Sequence, residues 1–283
     1  MSLNHRASLP LGVDIGSEFV SIVAADAAAD GFVIRETGTL EVPSCEAPAL
    51  DLKIAESLQA ILTSLGSKER RCVLAAPATD VVTRAFRLPP KMRRREADRA
   101  ASLEADTIVD WPVSERLVAL DPIPGDNDRM LLSIARNSTI ERLVAVARAA
   151  GLKPVAIDVP ACAWRRAVPD ADAILNCTNE PTVLIIFGQP VGTTHIFPPR
   201  LIDERLASNV RAALAEARRD GFADVQRLAI LSSRFRYESI EALLRDDGYA
   251  IGPVTLGGME SPTWTFAYGL ASWSIAPRGL ATV

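Results

Sequence analysis

The apolar positions near the start of the chain alternate between short runs and turns, and they predict a sheet. Three predicted strands follow one another, at residues 11–15, 19–24 and 32–40. Residues 51–65 then carry leucine, isoleucine and alanine at helical spacing on one face, and Gly66 ends that helix. Residues 72–76 form a further apolar run. Strands, a helix and another buried strand predict an α/β unit.

The pattern of hydrophobic and polar residues changes near Thr79, and the new pattern predicts a small α+β module. Its elements are strands at 81–88, 116–122 and 129–135 and helices at 91–109 and 138–150. The first of these helices is highly charged and has a narrow alanine-rich stripe. Its arginine run, Arg93–Arg95, could contact nucleic acid or anionic lipid, but acidic residues follow at once. We therefore interpret this helix as a solvated face with i,i+4 ion pairs.

The second half of the chain begins with another apolar hairpin. A strand at 182–187 and a return strand at 193–197 enclose a glycine-bearing turn at 188–192. This pattern repeats the hairpin at 11–24, so it predicts two related halves. The remaining predicted elements are strands at 154–159 and 228–231 and helices at 161–168, 203–220, 237–247 and 262–276.

Length, composition and charge narrow the function classes. The chain has 283 residues, enough for two lobes, and 48% of them are hydrophobic, as in an ordinary globular protein. A net charge of −4 argues against a protein built to bind nucleic acid. The four cysteines show no C-x-x-C spacing and there are only two histidines. We therefore expect free buried thiols, including Cys45, and no metal site.

The apolar runs are too short to cross a membrane. No run approaches the roughly 20 apolar residues that span a bilayer, and residues 1–10 lack the apolar core of a signal peptide. We therefore expect a cytoplasmic protein with no direct membrane insertion. Any contact with a membrane would pass through a partner.

The first strand ends in a combination of residues suited to anion binding. Asp14 is followed by Gly16, which has no Cβ to keep a phosphate away from the backbone, and by the hydroxyl of Ser17. Asp14 could hold a metal-bound water beside such a phosphate. An ordinary buried strand with a tight turn explains the same residues, so both interpretations stay open at this point.

Five short motifs, in their order along the chain, resemble the PilM family of actin-like type IV pilus assembly proteins. Related families are FtsA of cell division, the cytoplasmic region of GspL in type II secretion, and MshI of mannose-sensitive pili. The motifs are Val13–Ser17, Phe86–Pro89, Ile108–Val113, Ala149–Asp158 and Ala267–Ala271. The last of them also carries small residues where close helix packing is expected.

The resemblance implies an α/β fold of the actin-like (ribonuclease H-like) type. It has two lobes and an inserted α+β subdomain in the first lobe. Residues 8–78 and 154–178 would form the first lobe, 79–153 the FtsA-type insert, and 179–283 a second, reduced lobe. It also implies ATP with Mg²⁺ as the candidate cofactor. The residues that would surround a nucleotide are Asp14, Gly16, Ser17, Gly188, Gly192, Thr193 and Thr194.

Departures from the family pattern weaken that nucleotide site. Ser21 stands where the family usually has a lysine, and Ile186 stands where the second phosphate loop usually has its acid. The adenosine-side glycine pair is replaced by Ser232–Ser233. Because two carboxylates normally hold Mg²⁺ and orient the attacking water, we expect weak or vestigial binding, with no catalytic residue and no metal ligand. A working ATPase of the same fold is the alternative, and a small-molecule kinase lacks a convincing second acid.

The resemblance also implies a partner. A groove between the insert and the first lobe would take the short cytoplasmic N-terminal peptide of an inner-membrane PilN-like protein, or of a protein like GspL or GspM. By family position the groove residues are Phe86, Leu88, Ile108, Trp111 and Pro112. Trp111 could equally cap the local core. Self-association is a further candidate interaction, and no nucleic-acid partner is expected.

Overall fold

The computed structural model of the chain describes residues 8–28, 31–42, 49–89, 92–123, 129–178, 181–188, 192–199, 201–219, 225–232, 234–256, 259–260 and 263–273. Cys45 and Ser233 lie outside these residues. The other three cysteines, Cys72, Cys162 and Cys177, are free and buried, as expected. Burial raises the pKa of the Cys72 thiol to about 12, so it is protonated and unreactive at neutral pH.

The elements follow the predicted order closely. The first lobe and the insert contain β1 (Leu11–Ile15), β2 (Phe19–Ala28), β3 (Gly31–Glu41), α1 (Ala49–Ser64), β4 (Arg71–Ala75), β5 (Val81–Arg87), α2 (Arg94–Ile108), β6 (Arg116–Pro122), β7 (Arg129–Arg136), α3 (Asn137–Ala149), β8 (Lys153–Asp158) and α4 (Pro160–Ala167). The second lobe contains β9 (Ala173–Asn176), β10 (Thr182–Ile186), β11 (Thr193–Phe197), α5 (Asp203–Arg219), β12 (Arg227–Leu231), α6 (Arg234–Leu244), β13 (Ala250–Pro253), β14 (Thr255–Leu256), β15 (Met259–Glu260) and α7 (Thr265–Ala271).

Each lobe is built on a five-stranded sheet, and the two sheets have the same topology. The first runs β3–β2–β1–β4–β8 and the second β11–β10–β9–β12–β13. In both, the central strand pairs antiparallel with the strand that follows it and parallel with the strand after the next helix. The chain therefore repeats one α/β unit twice, in agreement with the two lobes that the resemblance implies.

The repeat begins at β9, which the sequence analysis did not predict. The predicted repeat pairs the hairpin β10–β11 with β1–β2, but β9 is the strand that corresponds to β1. The prediction of a repeat is thus confirmed and its register is wrong. The physical reason is that β9 offers only four residues, too few to show a hydrophobic period of its own.

Alternate residues of the central strands separate two layers of core. Leu11 and Val13 pack with α1 and α3 on the outer face of the first sheet. Ala173 and Leu175 do the same beneath α5 and α6 in the second lobe. The intervening residues point to the inner layer, which holds α4 and α7.

The small residues of α7 explain how this inner layer packs. A Cβ added to Gly12 of β1 would lie 1.9 Å from the Ala267 carbonyl oxygen, and one added to Gly269 would lie 2.1 Å from the Ala163 carbonyl oxygen. The helix α7 therefore touches β1 on one side and α4 on the other at backbone distance. The close packing predicted for this motif is confirmed.

The insert is a three-stranded sheet, β5–β7–β6, that lies between two sets of helices. The alanine seam of α2, Ala97, Ala101 and Ala105, covers one face. The opposite face packs through Leu131 against Val159 and Cys162, at the start of α4. The insert thus leaves the first lobe after β4 and returns to it at α3.

The sheets and cores place two domain boundaries differently from the sequence analysis. The helix α3 was included in the insert at 79–153, but its apolar face belongs to the core of the first lobe. Residues 154–178 were assigned to the first lobe, but β9 pairs within the second sheet. The reason is that neither helix periodicity nor strand propensity says which sheet an element joins.

Within the described part of the chain, no helix is both long and apolar enough to span a bilayer.

The contact between α7 and β1 generates a stability prediction. Gly12→Ala forces a methyl group into the Ala267 carbonyl, so we expect the free energy of unfolding to fall by about 2–3 kcal/mol or more. The matched control is Gly252→Ala in β13, where an added Cβ meets nothing within 4 Å. Urea unfolding of both variants tests this, and equal stability of the two would contradict the described packing.

Candidate functional site

Asp14 lies at the end of the central strand of the first sheet, facing the inner layer. It shares this face with Gly12, and it is half-buried. Among the described residues, its carboxylate has no hydrogen-bond or ion-pair partner. Burial raises the pKa of Asp14 from the ordinary value of 3.8 to about 7. An unpaired carboxyl with a raised pKa at a strand end is typical of a functional site.

The turn that follows Asp14 uses part of its own hydrogen-bonding capacity. The Gly16 N–H donates to the Phe19 carbonyl oxygen at 2.9 Å and closes the β1–β2 hairpin. Ser17 and Glu18 at the tip are exposed. The predicted residues Asp14, Gly16 and Ser17 are therefore brought together, but the Gly16 amide is already satisfied within the turn.

Asn176 occupies in β9 the position that Asp14 occupies in β1. Each is three residues after the first residue of its strand, and each lies on the inner face of its sheet. The Asn176 side-chain oxygen accepts hydrogen bonds from the Thr178 N–H at 3.1 Å and the Thr178 hydroxyl at 2.7 Å. The second lobe thus places a neutral amide, which holds its own turn, where the first lobe places an acid.

Four predicted nucleotide residues lie elsewhere. Gly188, Gly192, Thr193 and Thr194 belong to the β10–β11 connection, and Ile186 and Thr193 pair opposite each other there. Because β10 runs antiparallel to β9, this connection lies at the amino end of β9, away from Asn176. The tight packing of Gly192 on the Ile186 carbonyl gives that glycine a role in the turn. The structure does not bring these residues to the strand ends that hold Asp14 and Asn176.

A buried ion pair sits at the carboxyl end of β8. Asp158 is fully buried, and it accepts hydrogen bonds from Arg166 of α4 and from the Val159 N–H, the latter at 2.8 Å. Arg166 also donates to the Gly269 carbonyl oxygen of α7 at 2.9 Å. Burial raises the pKa of Asp158, and the contact with Arg166 opposes that effect. These contacts tie β8, α4 and α7 together and leave Asp158 with a structural role.

The five predicted groove residues do not form one groove. Phe86, Leu88, Ile108 and Trp111 all pack in the core between α2 and the insert sheet, and Pro112 is exposed. Phe86 pairs opposite Met130, at the start of β7, whereas Trp111 contacts Arg136 at its end. These positions are roughly 20 Å apart along the strand. Family position alone could not reveal that α2 separates the two groups by its full length.

The Trp111 end of the insert adjoins the first lobe. The Arg136 guanidinium lies 4.3 Å from the centre of the Trp111 ring and 3.6 Å from a carboxylate oxygen of Asp80. Arg116, almost fully buried, donates to the Trp111 carbonyl oxygen at 3.2 Å. Residues 113–115 contact α3 of the first lobe. We call Trp111, Pro112 and Val113 the junction segment.

The family model described as "Type IV pilus assembly protein PilM" matches residues 12–196, well over half of the chain.

The chain belongs to the PilM family.

Solved structures agree on the fold. A PilM–PilN type IV pilus biogenesis complex is 18% identical, with a TM-score of 0.72, covering 95% of this chain and 99% of that one. The cytoplasmic domain of EpsL, from the type II secretion system of Vibrio cholerae, is 11% identical, with a TM-score of 0.56, covering 98% and 99%. A Bacteroides thetaiotaomicron protein of actin-like ATPase fold and unknown function is 10% identical, with a TM-score of 0.52, covering 87% and 90%. Comparison with curated protein sequences gives no match.

Membership of the PilM family confirms the fold expected from the five motifs. The structure adds residues that the sequence analysis missed, chiefly Asn176 and Arg166. Asn176 follows the short apolar run Ala173–Leu175 and begins an Asn-x-Thr turn, a signal that the four-residue strand made easy to overlook. Among the described residues, no group of three or more histidine, cysteine or acidic side chains could hold a metal ion.

The raised pKa of Asp14 predicts how stability depends on pH. The folded state favours the protonated form of Asp14, so the contribution of this side chain to the free energy of unfolding falls as pH rises from about 4 to about 7. Asp14→Asn removes this loss. We expect the variant to match the wild type near pH 4 and to be about 1–3 kcal/mol more stable above pH 7.

Urea unfolding across that pH range measures the difference. Asp170 is an exposed carboxyl in the loop after α4, so Asp170→Asn serves as the control. Its free energy of unfolding should follow that of the wild type at every pH. A variant at position 14 that is less stable than the wild type at pH 8 would show that Asp14 has a stabilising partner.

Proposed function

We propose that this PilM-family protein is a cytoplasmic scaffold of a type IV pilus or a related secretion machine. Its junction segment would dock the cytoplasmic N-terminal peptide of an inner-membrane PilN-like partner. The observation that carries the proposal is an exposed apolar surface at the boundary between the insert and the first lobe. This surface supports a peptide-docking role, and the PilM–PilN complex among the similar structures indicates the class of partner.

Two exposed apolar side chains lie on the insert side of this boundary, and a third lies on α1 of the first lobe. Val113 is 67% exposed, and Pro112 beside it is exposed too. In the first lobe, Leu52 is 61% exposed in the first turn of α1, next to Asp51, which pairs with Arg142 of α3 at 2.6 Å. Exposed apolar side chains beside such a boundary suit the apolar anchors of a short peptide.

The junction segment is held in place before any peptide arrives. Arg116 fixes the Trp111 carbonyl, and Arg136 covers one face of the ring. Asp80 accepts a hydrogen bond from the Thr139 hydroxyl at 3.0 Å and so links this cluster to α3. Preorganisation of this kind lowers the entropy cost of docking, because the surface does not have to be ordered by the ligand.

The nucleotide site supports a scaffold more than an enzyme. Asp14 offers one carboxylate, while Asn176 offers an amide that is already bonded to Thr178. A magnesium ion beside a triphosphate prefers carboxylate oxygens, and only one stands at the two related positions. These residues fit magnesium-dependent hydrolysis poorly. We therefore assign no reaction to the site, with a working ATPase as the alternative.

Partner docking is tested by titrating the protein with a synthetic peptide that carries the cytoplasmic N-terminal residues of a PilN-like protein. Val113→Asp places a charge in the apolar junction, and we expect peptide affinity to fall at least about tenfold. Ile202→Asp is the matched control, since Ile202 is 66% exposed in the second lobe. Fluorescence anisotropy measures both. Equal affinity of the two variants, or no binding by the wild type, would refute the assigned surface.

The hypothesis that the nucleotide site supports no hydrolysis is tested by calorimetry with Mg-ATP and by phosphate release. We expect no turnover by the wild type. Asn176→Asp supplies a second carboxylate that can still accept the Thr178 hydrogen bonds, and it should tighten Mg-ATP binding about tenfold. Turnover by the wild type that Asp14→Ala abolishes would favour the ATPase alternative.

A further inference from the structure

We propose that a cavity on the inner face of the second sheet binds a small organic anion, which carries one acidic group on a flat apolar body. The cavity has a volume of about 530 Å³. This volume lies in the range of cavities that hold small-molecule ligands. None of the lining residues belongs to the junction segment, so the proposal is independent of the proposed function.

The cavity lies away from the strand ends that hold Asp14 and Asn176. Its residues from β12 are Arg227, Leu228 and Ala229, the first three of that strand, and the loop before β9 lines it as well. Because β9 and β12 are parallel, these residues lie at the amino ends of the two strands. Asn176 lies at the carboxyl end of β9. The cavity is therefore separate from the candidate nucleotide site.

Small residues form the floor of the cavity. Ala229 of β12 and Gly252 of β13 lie opposite each other in the strand register, so they share one face of the sheet. Ala229 packs beside the inner core, which shows that this face is the inner one. A Cβ added to Gly252 would meet nothing within 4 Å. The floor thus leaves room for a flat apolar group to lie against the strands.

Two hydrogen-bond donors of the lining lack an acceptor among the described residues. Arg166 donates to the Gly269 carbonyl oxygen and to Asp158, but its buried Nη1 has no partner. The Tyr268 hydroxyl has no hydrogen-bond partner in the described part of the chain either. Burial raises the pKa of Tyr268, so this hydroxyl keeps its proton at neutral pH. An acceptor on a ligand would satisfy donors that are costly to leave unpaired.

The charge at the rim of the cavity favours an anion. Arg227 lies on the same face as Ala229, and it is exposed. Its Nη1 donates to the Asp170 carbonyl oxygen at 3.3 Å, and it forms no ion pair with a described carboxylate. Asp158 offsets the charge of Arg166, so Arg227 supplies the free positive charge. Asp170 is the acidic residue of the lining, and water screens its exposed side chain. The planar guanidinium of Arg227 suits a carboxylate or a similar acidic group.

A ligand in this cavity would contact elements from both lobes. The centre of the Tyr268 ring lies 4.9 Å from the centre of the Phe32 ring of β3, in the first lobe. The same tyrosine lines the cavity together with Gly252 of β13, in the second lobe. Occupancy would therefore add contacts between α7 and the second sheet, and it would stabilise the folded chain.

A matched pair of fluorescent probes tests the need for an acidic group. Anilinonaphthalene sulfonate carries a sulfonate, and N-phenylnaphthylamine has the same rings without it. We expect the wild type to bind the sulfonate probe at least about tenfold more tightly than the neutral probe. Arg227→Gln and Tyr268→Phe should each weaken sulfonate binding about threefold to tenfold and leave binding of the neutral probe unchanged.

Filling the cavity tests its location. Gly252→Leu places a side chain in the open space above the floor, so both probes should bind at least about tenfold more weakly. Ala145→Leu is the matched control, because Ala145 is exposed on α3, and it should bind both probes like the wild type. Urea unfolding of each variant establishes that it is folded.

Three results would overturn the proposal. The first is equal affinity of the two leucine variants for the sulfonate probe. The second is equal affinity of the wild type for the two probes, which would indicate an uncharged apolar ligand. The third is failure of the wild type to bind the sulfonate probe.

Discussion

The contact of α7 with β1 and α4 is the constraint on which the two-lobe arrangement depends. Glycines at positions 12 and 269 let three backbones meet where any side chain would keep them apart. Arg166 reinforces the contact by joining Asp158 to the Gly269 carbonyl. A buried pair of this kind specifies one arrangement more than it adds stability, because desolvation offsets much of its attraction. The inner faces that carry Asp14 and Asn176 are positioned by these contacts.

The elements could be predicted from the sequence because most of them are long and periodic. β1, β6, β10 and α3 were placed to within a residue or two, since each shows its period and its boundaries. The strand β9 could not be found in this way. Without it, the candidate nucleotide residues of the second half were assigned to the β10–β11 connection, away from the strand end that holds Asn176. Two hairpins can share a hydrophobic pattern without being equivalent, whereas the strand order of a sheet shows which strand is central. That order identifies β9 as the equivalent of β1, and so Asn176 as the equivalent of Asp14.

The insert shows a different limit. Its five candidate groove residues were expected to line one peptide groove, and four of the five lie instead in the core between α2 and the insert sheet. The length of α2 was predicted, but its course along the insert sheet was not, and that course sets Phe86 and Leu88 at one end and Trp111 at the other. The i,i+4 pairing predicted for the arginine run is found between Arg94 and Asp98, because pairing along a helix is visible in sequence.

The position of α7 also bears on synthesis. Its seven residues cover the inner face of the first sheet, yet they leave the ribosome after more than 260 others. Val23 and Ala25 of β2 must therefore wait uncovered while the insert and the second lobe are made. Contacts so distant in sequence are closed slowly and leave apolar surface open to aggregation. Truncated or stalled chains of this protein are thus expected to need chaperone protection even when their first lobe is fully translated.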